Sequence, residues 1–252
     1  MRYVRYQLGD AVQYGILKDN LIQVIDGDLF GVHQITGKTV ALDAVKLLAP
    51  CQPSKAVCVG LNYHDHATEM KCELPKEPLI FLKPSSALNH PGGAIEYPSI
   101  SHNLHFEGEL AIVIGKQARK VTIDQAPDYI LGYTCANDVT ARDIQLGDGQ
   151  WTRGKSFDTF LPLGPVIATE LDPHAIDIRL YVNEEIKQNS NTRQLIFNVP
   201  YIVAYVSQVM TLHPGDVILT GTPSGVGPMQ VGDTVTVELA GIGKLTNVVV
   251  KG

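Results

Sequence analysis

Short stretches in which hydrophobic and polar residues alternate make up most of the chain. The first 50 residues begin RYVRYQL, turn at Gly9-Asp10 and continue as QYGILKDNLIQVI. A period of two is typical of strands with one buried face, and Gly, Asp and Asn between such stretches indicate tight turns. The pattern predicts a small β-rich N-terminal domain over residues 1-53, which ends in the linker APCQPSK.

Further hydrophobic runs predict that residues 54-252 also consist mainly of strands. One of these runs, IDIRLYVNEEIKQ, contains a predicted turn at Asn183-Glu184. Only NVPYIVAYVSQVMTL repeats its apolar residues at helical spacing over a long run, with Asn198 as the expected cap and Pro200 in the first turn. We therefore predict a β-dominated α+β fold with one long helix.

Two acids stand close together in the segment LHFEGELAIVIG. Alternate side chains of a strand share a face, so Glu107 and Glu109 should point to one side while Phe106, Leu110 and Ile112 point to the other. Strands often carry acidic residues on the face that is exposed to solvent. The pair alone therefore leaves two interpretations open: a solvent-exposed sheet face or a functional site.

A third acid, Asp138, follows the apolar run YILGYTCAN, where a strand gives way to a helical turn. Spacings of four and three residues place Asp138, Arg142 and Gln145 on one side of that turn. Two charges about 4 Å apart repel by about 4 kcal/mol at an effective dielectric of about 20, so the three carboxylates either stay apart or have a cation between them. Oxygen ligands alone suit Mg²⁺ or Mn²⁺ better than Zn²⁺.

The segment HDHATEMKCEL has helical character but few core positions, as expected of a mobile lid over a site. His66 and Glu69 are three residues apart and share a helical face, where a carboxylate and an imidazole form a base able to activate water. The same spacing also fits a solvated helix with a chance pair.

Three further features each fit two interpretations. Lys155, in WTRGKSFDTFLP, is either a surface lysine with a buried stem or, beside a metal, an anion-binding group. The glycine-rich loop TGTPSGVG lacks the ending of a P-loop, and is either a tight turn or a cradle in which Thr222 and backbone amides hold a carboxylate. His102 and His105 form an HxxH pair that suggests zinc, with His105 on the strand face of the two glutamates.

Composition narrows the classes of partner. The 252 residues are 44% hydrophobic and 18% charged, an ordinary globular balance. A net charge of -6 argues against binding to nucleic acid. There is no apolar run of about 18 residues and no signal-peptide core, so we expect a cytoplasmic protein without a membrane partner. The four cysteines show no CxxC spacing and are expected to be reduced thiols.

Six ordered segments resemble the fumarylacetoacetate hydrolase superfamily, from about Val57 to the C-terminus. They are VGLNYHDHATEM, PLIFLKPSSAL, HFEGELAIVIG, GYTCANDVTARDIQ, WTRGKSFDTFLPLGP and GDVILTGTPSGVG. The first 50 residues are similar to the extra N-terminal domain of some bacterial members often labelled isomerases or decarboxylases. The resemblance implies a mixed β-roll catalytic domain over residues 54-252, a homodimer, and one Mg²⁺ or Mn²⁺ per site.

The resemblance also assigns roles to nine residues. The implied metal ligands are Glu107, Glu109 and Asp138. The implied substrate contacts are Arg142, Gln145 and Thr222. The implied catalytic residues are Lys155, His66 and Glu69. His66 and Glu69 match the lid pair of the acylpyruvate hydrolases in the family, which favours the catalytic interpretation of that pair.

The activity that the resemblance implies is hydrolysis of a carbon-carbon bond in a 2,4-dioxo acid such as fumarylpyruvate or acetylpyruvate. The products are pyruvate and a carboxylic acid, formed through an enolate stabilised by the metal. The same enolate serves two alternatives: isomerisation of 2-hydroxyhepta-2,4-diene-1,7-dioate in aromatic catabolism, and decarboxylation of oxaloacetate. The N-terminal domain favours the isomerase, and the lid pair favours the other two. A non-catalytic metal-binding module is a remote alternative, because three carboxylates leave coordination positions open.

Overall fold

The computed structural model describes all residues 1-252, of which 46% lie in strands and 17% in α-helices and short 3-10 helices together. The predicted β-dominated α+β fold is therefore confirmed. The strands, in chain order, are β1 (Arg2–Leu8), β2 (Ala11–Lys18), β3 (Leu21–Gly27), β4 (His33–Ala41), β5 (Lys46–Leu48), β6 (Lys55–Gly60), β7 (Leu79–Pro84), β8 (Leu88–Asn89), β9 (Ala94–Tyr97), β10 (Leu104–Phe106), β11 (Gly108–Ile114), β12 (Ile130–Asn137), β13 (Thr140–Ala141), β14 (Leu161–Ala168), β15 (Asp177–Val182), β16 (Glu185–Asn191), β17 (Val217–Leu219), β18 (Gly227–Pro228), β19 (Thr234–Leu239) and β20 (Gly243–Lys251). The α-helices are α1 (His64–Met70), α2 (Arg142–Asp148), α3 (Thr152–Lys155) and α4 (Val199–Val209). Short 3-10 helices cover Leu42–Ala44, Ser85–Ala87, Ala126–Tyr129 and Thr192–Gln194.

A twelve-stranded sheet forms the main layer of the molecule. Its order is β4-β3-β2-β1-β14-β12-β11-β17-β6-β7, with β5 beside β1 and β8 beside β14. The N-terminal strands therefore join the same sheet as later strands, since Tyr3 of β1 pairs with Ile167 of β14. The predicted domains 1-53 and 54-252 share one continuous sheet.

A second, five-stranded sheet, in the order β16-β15-β19-β20-β9, packs across the centre of the first, and a small ribbon β13-β10-β18 adjoins them. The larger core cluster lies between the two sheets and includes Leu110 and Ile112 of β11. Ala111 and Val113 belong to the second cluster, on the opposite face of β11. Both faces of this strand are buried, so the interpretation of its acids as a solvent-exposed face is wrong.

The one predicted long helix is confirmed as α4, and none of the helices is long and apolar enough to span a membrane. The side chain of Asn198 accepts a hydrogen bond from the backbone N–H of Tyr201 at 3.0 Å, which caps the first turn. The predicted turn between β15 and β16 is also confirmed, with positive φ at Asn183 and Glu184.

We expect Asn198→Ala to lower the free energy of unfolding by about 1 kcal/mol, because the substitution removes the cap of α4. Urea denaturation followed by circular dichroism measures this difference. Asn198→Asp is the matched control, since aspartate caps equally well. Equal losses in the two variants would show that the cap contributes nothing.

Candidate active site

The acidic segment bends at Glu107, between β10 and β11. The backbone oxygen of Glu107 accepts from the N–H of Asp138 at 2.8 Å, and its N–H donates to the Asn137 side chain at 2.9 Å. These two bonds tie the bend to the end of β12, which brings Asp138 beside Glu107 and Glu109. The predicted single strand is thus two strands belonging to different sheets, because a site residue interrupts it.

Glu107, Glu109 and Asp138 converge on one buried point, where one oxygen of each lies within 4.8 Å of the others. Burial raises the pKa of Glu109 well above its usual range, and the charges of Asp138 and Glu107 raise it further. A divalent cation among the three would hold Glu109 ionised. The all-oxygen donor set therefore fits Mg²⁺ or Mn²⁺.

Three cationic side chains surround this carboxylate triad. Lys155 Nζ lies 2.8 Å from Glu107 Oε2 and 2.6 Å from Asp138 Oδ2. Lys83 Nζ lies 2.5 Å from Asp138 Oδ1, and the Arg142 guanidinium pairs with Glu107. With these groups ionised their charges cancel, so a divalent metal would leave an excess of two positive charges. A substrate that develops two negative charges, as the enolate of a 2-oxo acid does, would match this excess.

Mutual attraction keeps Lys155 and Glu107 charged although both are buried. Burial works to lower the pKa of Lys155, but Asp138 and Glu107 outweigh it and the pKa is raised. Burial likewise works to raise the pKa of Glu107, yet Lys155 and Arg142 hold it well below the usual range. Lys155 and Glu107 are therefore fixed charges at neutral pH, as electrostatic stabilisation of a reacting anion requires.

Helix α2 begins directly after the triad and directs two predicted substrate contacts into the site. Arg142 Nη1 donates to Gln145 Oε1 at 2.6 Å, which confirms that the two share one side of the helix. Thr222, from the loop after β17, donates to the backbone oxygen of Gly108 at 3.0 Å. This bond ties the loop after β17 to the first residue of β11.

His66 and Glu69 of α1 form the predicted pair, with His66 Nδ1 2.9 Å from Glu69 Oε2. Glu69 also accepts from the backbone N–H of Gly225 at 3.0 Å, which fixes the carboxylate against the glycine-rich loop. Helix α1 ends at Met70, and the following residue, Lys71, caps it with a left-handed backbone conformation at φ 53°. The movement of this segment as a lid stays a prediction.

One cavity of about 170 Å³ collects eight of the nine predicted site residues. Only Glu69 lies outside its lining, and it acts on the cavity through His66. The volume is below the range of about 300 to 1,000 Å³ that holds drug-sized ligands. The arrangement therefore fits a small anionic substrate beside a metal.

Comparison with known proteins identifies the family to which this cavity belongs. Residues 55-250 match the family model described as fumarylacetoacetate (FAA) hydrolase C-terminal. The chain belongs to the fumarylacetoacetate hydrolase family. Residues 1-50 match a second model, described as Rv2993c-like, N-terminal. The predicted family is confirmed.

Relatives within the fumarylacetoacetate hydrolase family carry different activities in their names. The crystal structure of 2-hydroxyhepta-2,4-diene-1,7-dioate isomerase from Mycobacterium marinum superposes with a TM-score of 0.92 at 46% identity, over 100% of this chain and 98% of that one. Maleylpyruvate hydrolase from Sphingobium sp. SYK-6, in complex with manganese(II) and pyruvate, gives 0.84 at 32% identity over 100% of both chains. The mitochondrial oxaloacetate tautomerase of Xenopus laevis is 44% identical over 82% of this chain and 69% of its own length. The family therefore leaves the reaction type open among isomerase, hydrolase and tautomerase.

Two buried residues of this fumarylacetoacetate hydrolase family member were not predicted from the sequence. Lys83 is fully buried and also donates to the Val139 backbone oxygen at 3.0 Å. The only signal for it was a lysine inside the apolar run PLIFLKP, since lysine is rarely buried without a partner. Gln188 accepts from the Gly108 N–H at 2.9 Å and donates to Thr222 Oγ1 at 2.8 Å, which ties the glycine-rich loop to β11.

We expect Lys83→Met to lower the free energy of unfolding of the metal-free protein by about 3 to 5 kcal/mol, because it removes one partner of a buried ion pair. Urea denaturation in EDTA measures the change. Lys76→Met, at an exposed lysine, is the control and should shift stability by no more than about 0.5 kcal/mol. A Lys83→Met variant as stable as this control would contradict the pairing with Asp138.

Two hypotheses from the sequence need correction. The zinc hypothesis for His102 and His105 is wrong, because neither joins the carboxylate group: His102 is exposed, and His105 Nε2 lies 2.9 Å from Asn103 Oδ1. Burial, followed by the charge of Arg142, lowers the pKa of His105 to about 4. The glycine-rich loop is a carboxylate cradle, but the Gly221 N–H holds the protein's own Glu109, at 2.6 Å.

The cysteines are all free, as expected, but they differ in environment. Cys51, Cys58 and Cys135 are buried, and burial raises the pKa of each thiol. Cys72 is exposed, in the segment after α1, and lines the cavity. The three buried cysteines are therefore inert packing residues.

Proposed function

We propose that the protein is a metal-dependent hydrolase that cleaves a carbon-carbon bond of a small 2,4-dioxo acid to give pyruvate and a carboxylic acid. The observation that carries the proposal is the meeting of the carboxylate triad and the His66-Glu69 pair at one small cavity. The manganese and pyruvate bound to the Sphingobium relative support the same metal and the same product here.

The charged end of the cavity binds the pyruvoyl part of the substrate. A bound Mg²⁺ or Mn²⁺ would supply Lewis acidity towards the substrate's carboxylate and 2-oxo oxygens. Arg142 is placed to hold the carboxylate, because a guanidinium offers paired donors. The Lys155 ammonium lies among the ligands and stabilises negative charge that develops on the 2-oxo oxygen.

The His66-Glu69 pair supplies the water chemistry. Glu69 holds Nδ1 of the ring, so Nε2 is free to take a proton from a water molecule in the cavity. The water oxygen then adds to the C4 carbonyl carbon. The C3–C4 bond breaks, its electron pair passes to the pyruvoyl part as an enolate, and protonation at C3 gives pyruvate. The C4 fragment leaves as the carboxylic acid.

A second candidate is tautomerisation of oxaloacetate, the reaction in the name of the Xenopus laevis relative. Oxaloacetate is as small as the cavity requires, and its enol form carries charge where Lys155 would stabilise it. This reaction moves a proton at C3 and needs no attack by water. Decarboxylation of oxaloacetate would use the same end of the cavity.

Turnover of a substrate panel tests the proposal. Acetylpyruvate, fumarylpyruvate, oxaloacetate and a 2-hydroxy-2,4-dienedioate are each supplied with Mg²⁺, Mn²⁺ or EDTA, and substrate loss and released pyruvate are both followed. We expect pyruvate release from an acylpyruvate that depends on the metal. Loss of the enol form of oxaloacetate or a shift of the dienol double bonds, with no pyruvate formed from any acylpyruvate, would overturn hydrolysis in favour of the other reactions.

The oligomeric state, the location and the partners other than the substrate are part of the proposal. We propose that the protein is a cytoplasmic homodimer that binds neither nucleic acid nor membranes, in keeping with its net charge of -6. Light scattering after size-exclusion chromatography measures the oligomeric state, and a monomeric mass of 27.4 kDa would contradict the dimer.

A further inference from the structure

The cavity has a second, apolar part that the mechanism above does not use. Five hydrophobic side chains line it, and each is more exposed than the carboxylates of the triad. We call them the apolar wall: Leu61, Met70, Phe81, Leu146 and Trp151. Because the wall lies nearer to solvent than the charged end, it faces the part of a substrate that extends beyond the reacting carbonyl.

Trp151 holds its place in this wall through a close approach to the backbone of β6. Its ring meets Phe81 edge-on, with centroids 5.2 Å apart. A Cβ atom on Gly60 would lie 2.8 Å from Trp151 Cζ3 and 3.0 Å from Cη2, closer than real contacts allow. The backbone of Gly60 does not have a positive φ, so a tight turn does not explain the glycine at this position. The absence of a side chain there leaves space for the indole ring of Trp151.

The cations of the cavity leave nothing to bind a charge at the wall. The cationic side chains in the lining are Arg142 and Lys155, and both lie at the charged end, beside the carboxylate triad. The excess charge that a divalent metal brings is already matched by one carboxylate and one enolate. A second carboxylate on the substrate would lie against hydrocarbon without a counter-charge, which is costly for a buried ion.

We propose that the apolar wall is a subsite for an uncharged tail, so that the substrate class is 2,4-dioxo acids with a short alkyl group beyond C4. The inference rests on the proposed function, whose pyruvoyl end it shares. It sets this chain apart from the structural neighbours named for a heptadiene dioate and for maleylpyruvate, substrates that carry a second carboxylate. Among the panel substrates it favours acetylpyruvate over fumarylpyruvate.

Binding of an isosteric pair of 2-oxo acids to the Mn²⁺-loaded protein tests the subsite without turnover of an acylpyruvate. In 5-methyl-2-oxohexanoate an isopropyl group takes the place of the distal carboxylate of 2-oxoglutarate. Calorimetry gives the ratio of their affinities, and we expect the isopropyl compound to bind at least about tenfold tighter. Oxalate, which has no tail, reports the metal site separately in every variant.

Substitutions in the wall should change this ratio in a defined way. Trp151→Ala should lower the preference for the isopropyl compound about tenfold, and Gly60→Ala should do the same by displacing the indole. Trp151→Arg should reverse the preference towards 2-oxoglutarate. Leu82→Ala, at the exposed neighbour of Phe81 on β7, is the matched control and should keep the wild-type ratio.

The outcomes separate the two proposals. Oxalate binding with equal affinities for the isosteric pair, or tighter binding of 2-oxoglutarate to the wild type, overturns the apolar subsite and leaves the proposed function standing. A preference for the isopropyl compound that persists unchanged in Trp151→Ala also overturns it. Failure of oxalate to bind to the Mn²⁺-loaded wild type overturns the proposed function, and the subsite with it.

Discussion

Glu109→Gln should abolish metal-dependent turnover, with a loss of more than about 100-fold, while the protein stays folded. Changes to residues that merely orient metal ligands cost about 10- to 100-fold, so the loss of a charged ligand should exceed that range. Turnover of the best acylpyruvate in Mn²⁺, measured as released pyruvate, gives the comparison with the wild type.

The same variant should be at least as stable as the wild type when metal is absent. The pKa of Glu109 is raised in the folded state, so its ionisation opposes folding at pH values above the pKa of the unfolded carboxyl, and glutamine removes that opposition. Its amide oxygen can still accept from the Gly221 N–H. The gain should disappear as pH falls below about 4, where the unfolded carboxyl is protonated as well.

Glu96→Gln, at an exposed glutamate of β9, is the matched control and should retain full activity. A Glu109→Gln variant that keeps metal-dependent turnover would remove Glu109 from the ligand set. A variant that fails to fold without metal would contradict the electrostatic account of the site, since the account predicts relief of repulsion.

His66→Ala should slow hydrolysis of an acylpyruvate by about 10² to 10⁴, the usual contribution of a positioned general base. Tautomerisation of oxaloacetate, followed by the absorbance of its enol, should fall far less, because no water is activated in that reaction. His64→Ala, at the exposed first residue of α1, is the control for changes to the helix.

Equal losses in the two reactions would contradict the role of His66 as a water activator. Glu69→Gln provides a second check on the same pair. It should reduce hydrolysis less than His66→Ala does, because Glu69 orients the ring and does not itself take the proton.

Local patterns predicted the elements that depend on local physics. The helical period and the Asn198 cap identified α4, and the polar pair Asn183-Glu184 identified the turn between β15 and β16. Spacing alone could not decide whether His66 and Glu69 were a functional pair. The resemblance of the surrounding segments favoured the pair, and the structure shows the contact.

The features that could not be predicted from the sequence depend on contacts between residues far apart in the chain. The bend at Glu107 depends on bonds to Asn137 and Asp138, about 30 residues away, so the acidic run looked like one strand. Lys83 lies 55 positions before Asp138 in the chain, so the sequence around it shows only a lysine in an apolar strand and not its partner. Strand β1 likewise pairs with β14, which lies more than 150 residues further along the chain. Patterns read over a few neighbouring residues cannot show such a pairing.

Titration of the protein with Mn²⁺, first alone and then with oxalate, tests the central claim most directly. The account predicts one saturable Mn²⁺ site per chain, oxalate binding only when the metal is present, and loss of both in Glu109→Gln. Oxalate binding that is equally tight in EDTA, or a wild type with no saturable Mn²⁺ site, would contradict a metal centre at Glu107, Glu109 and Asp138.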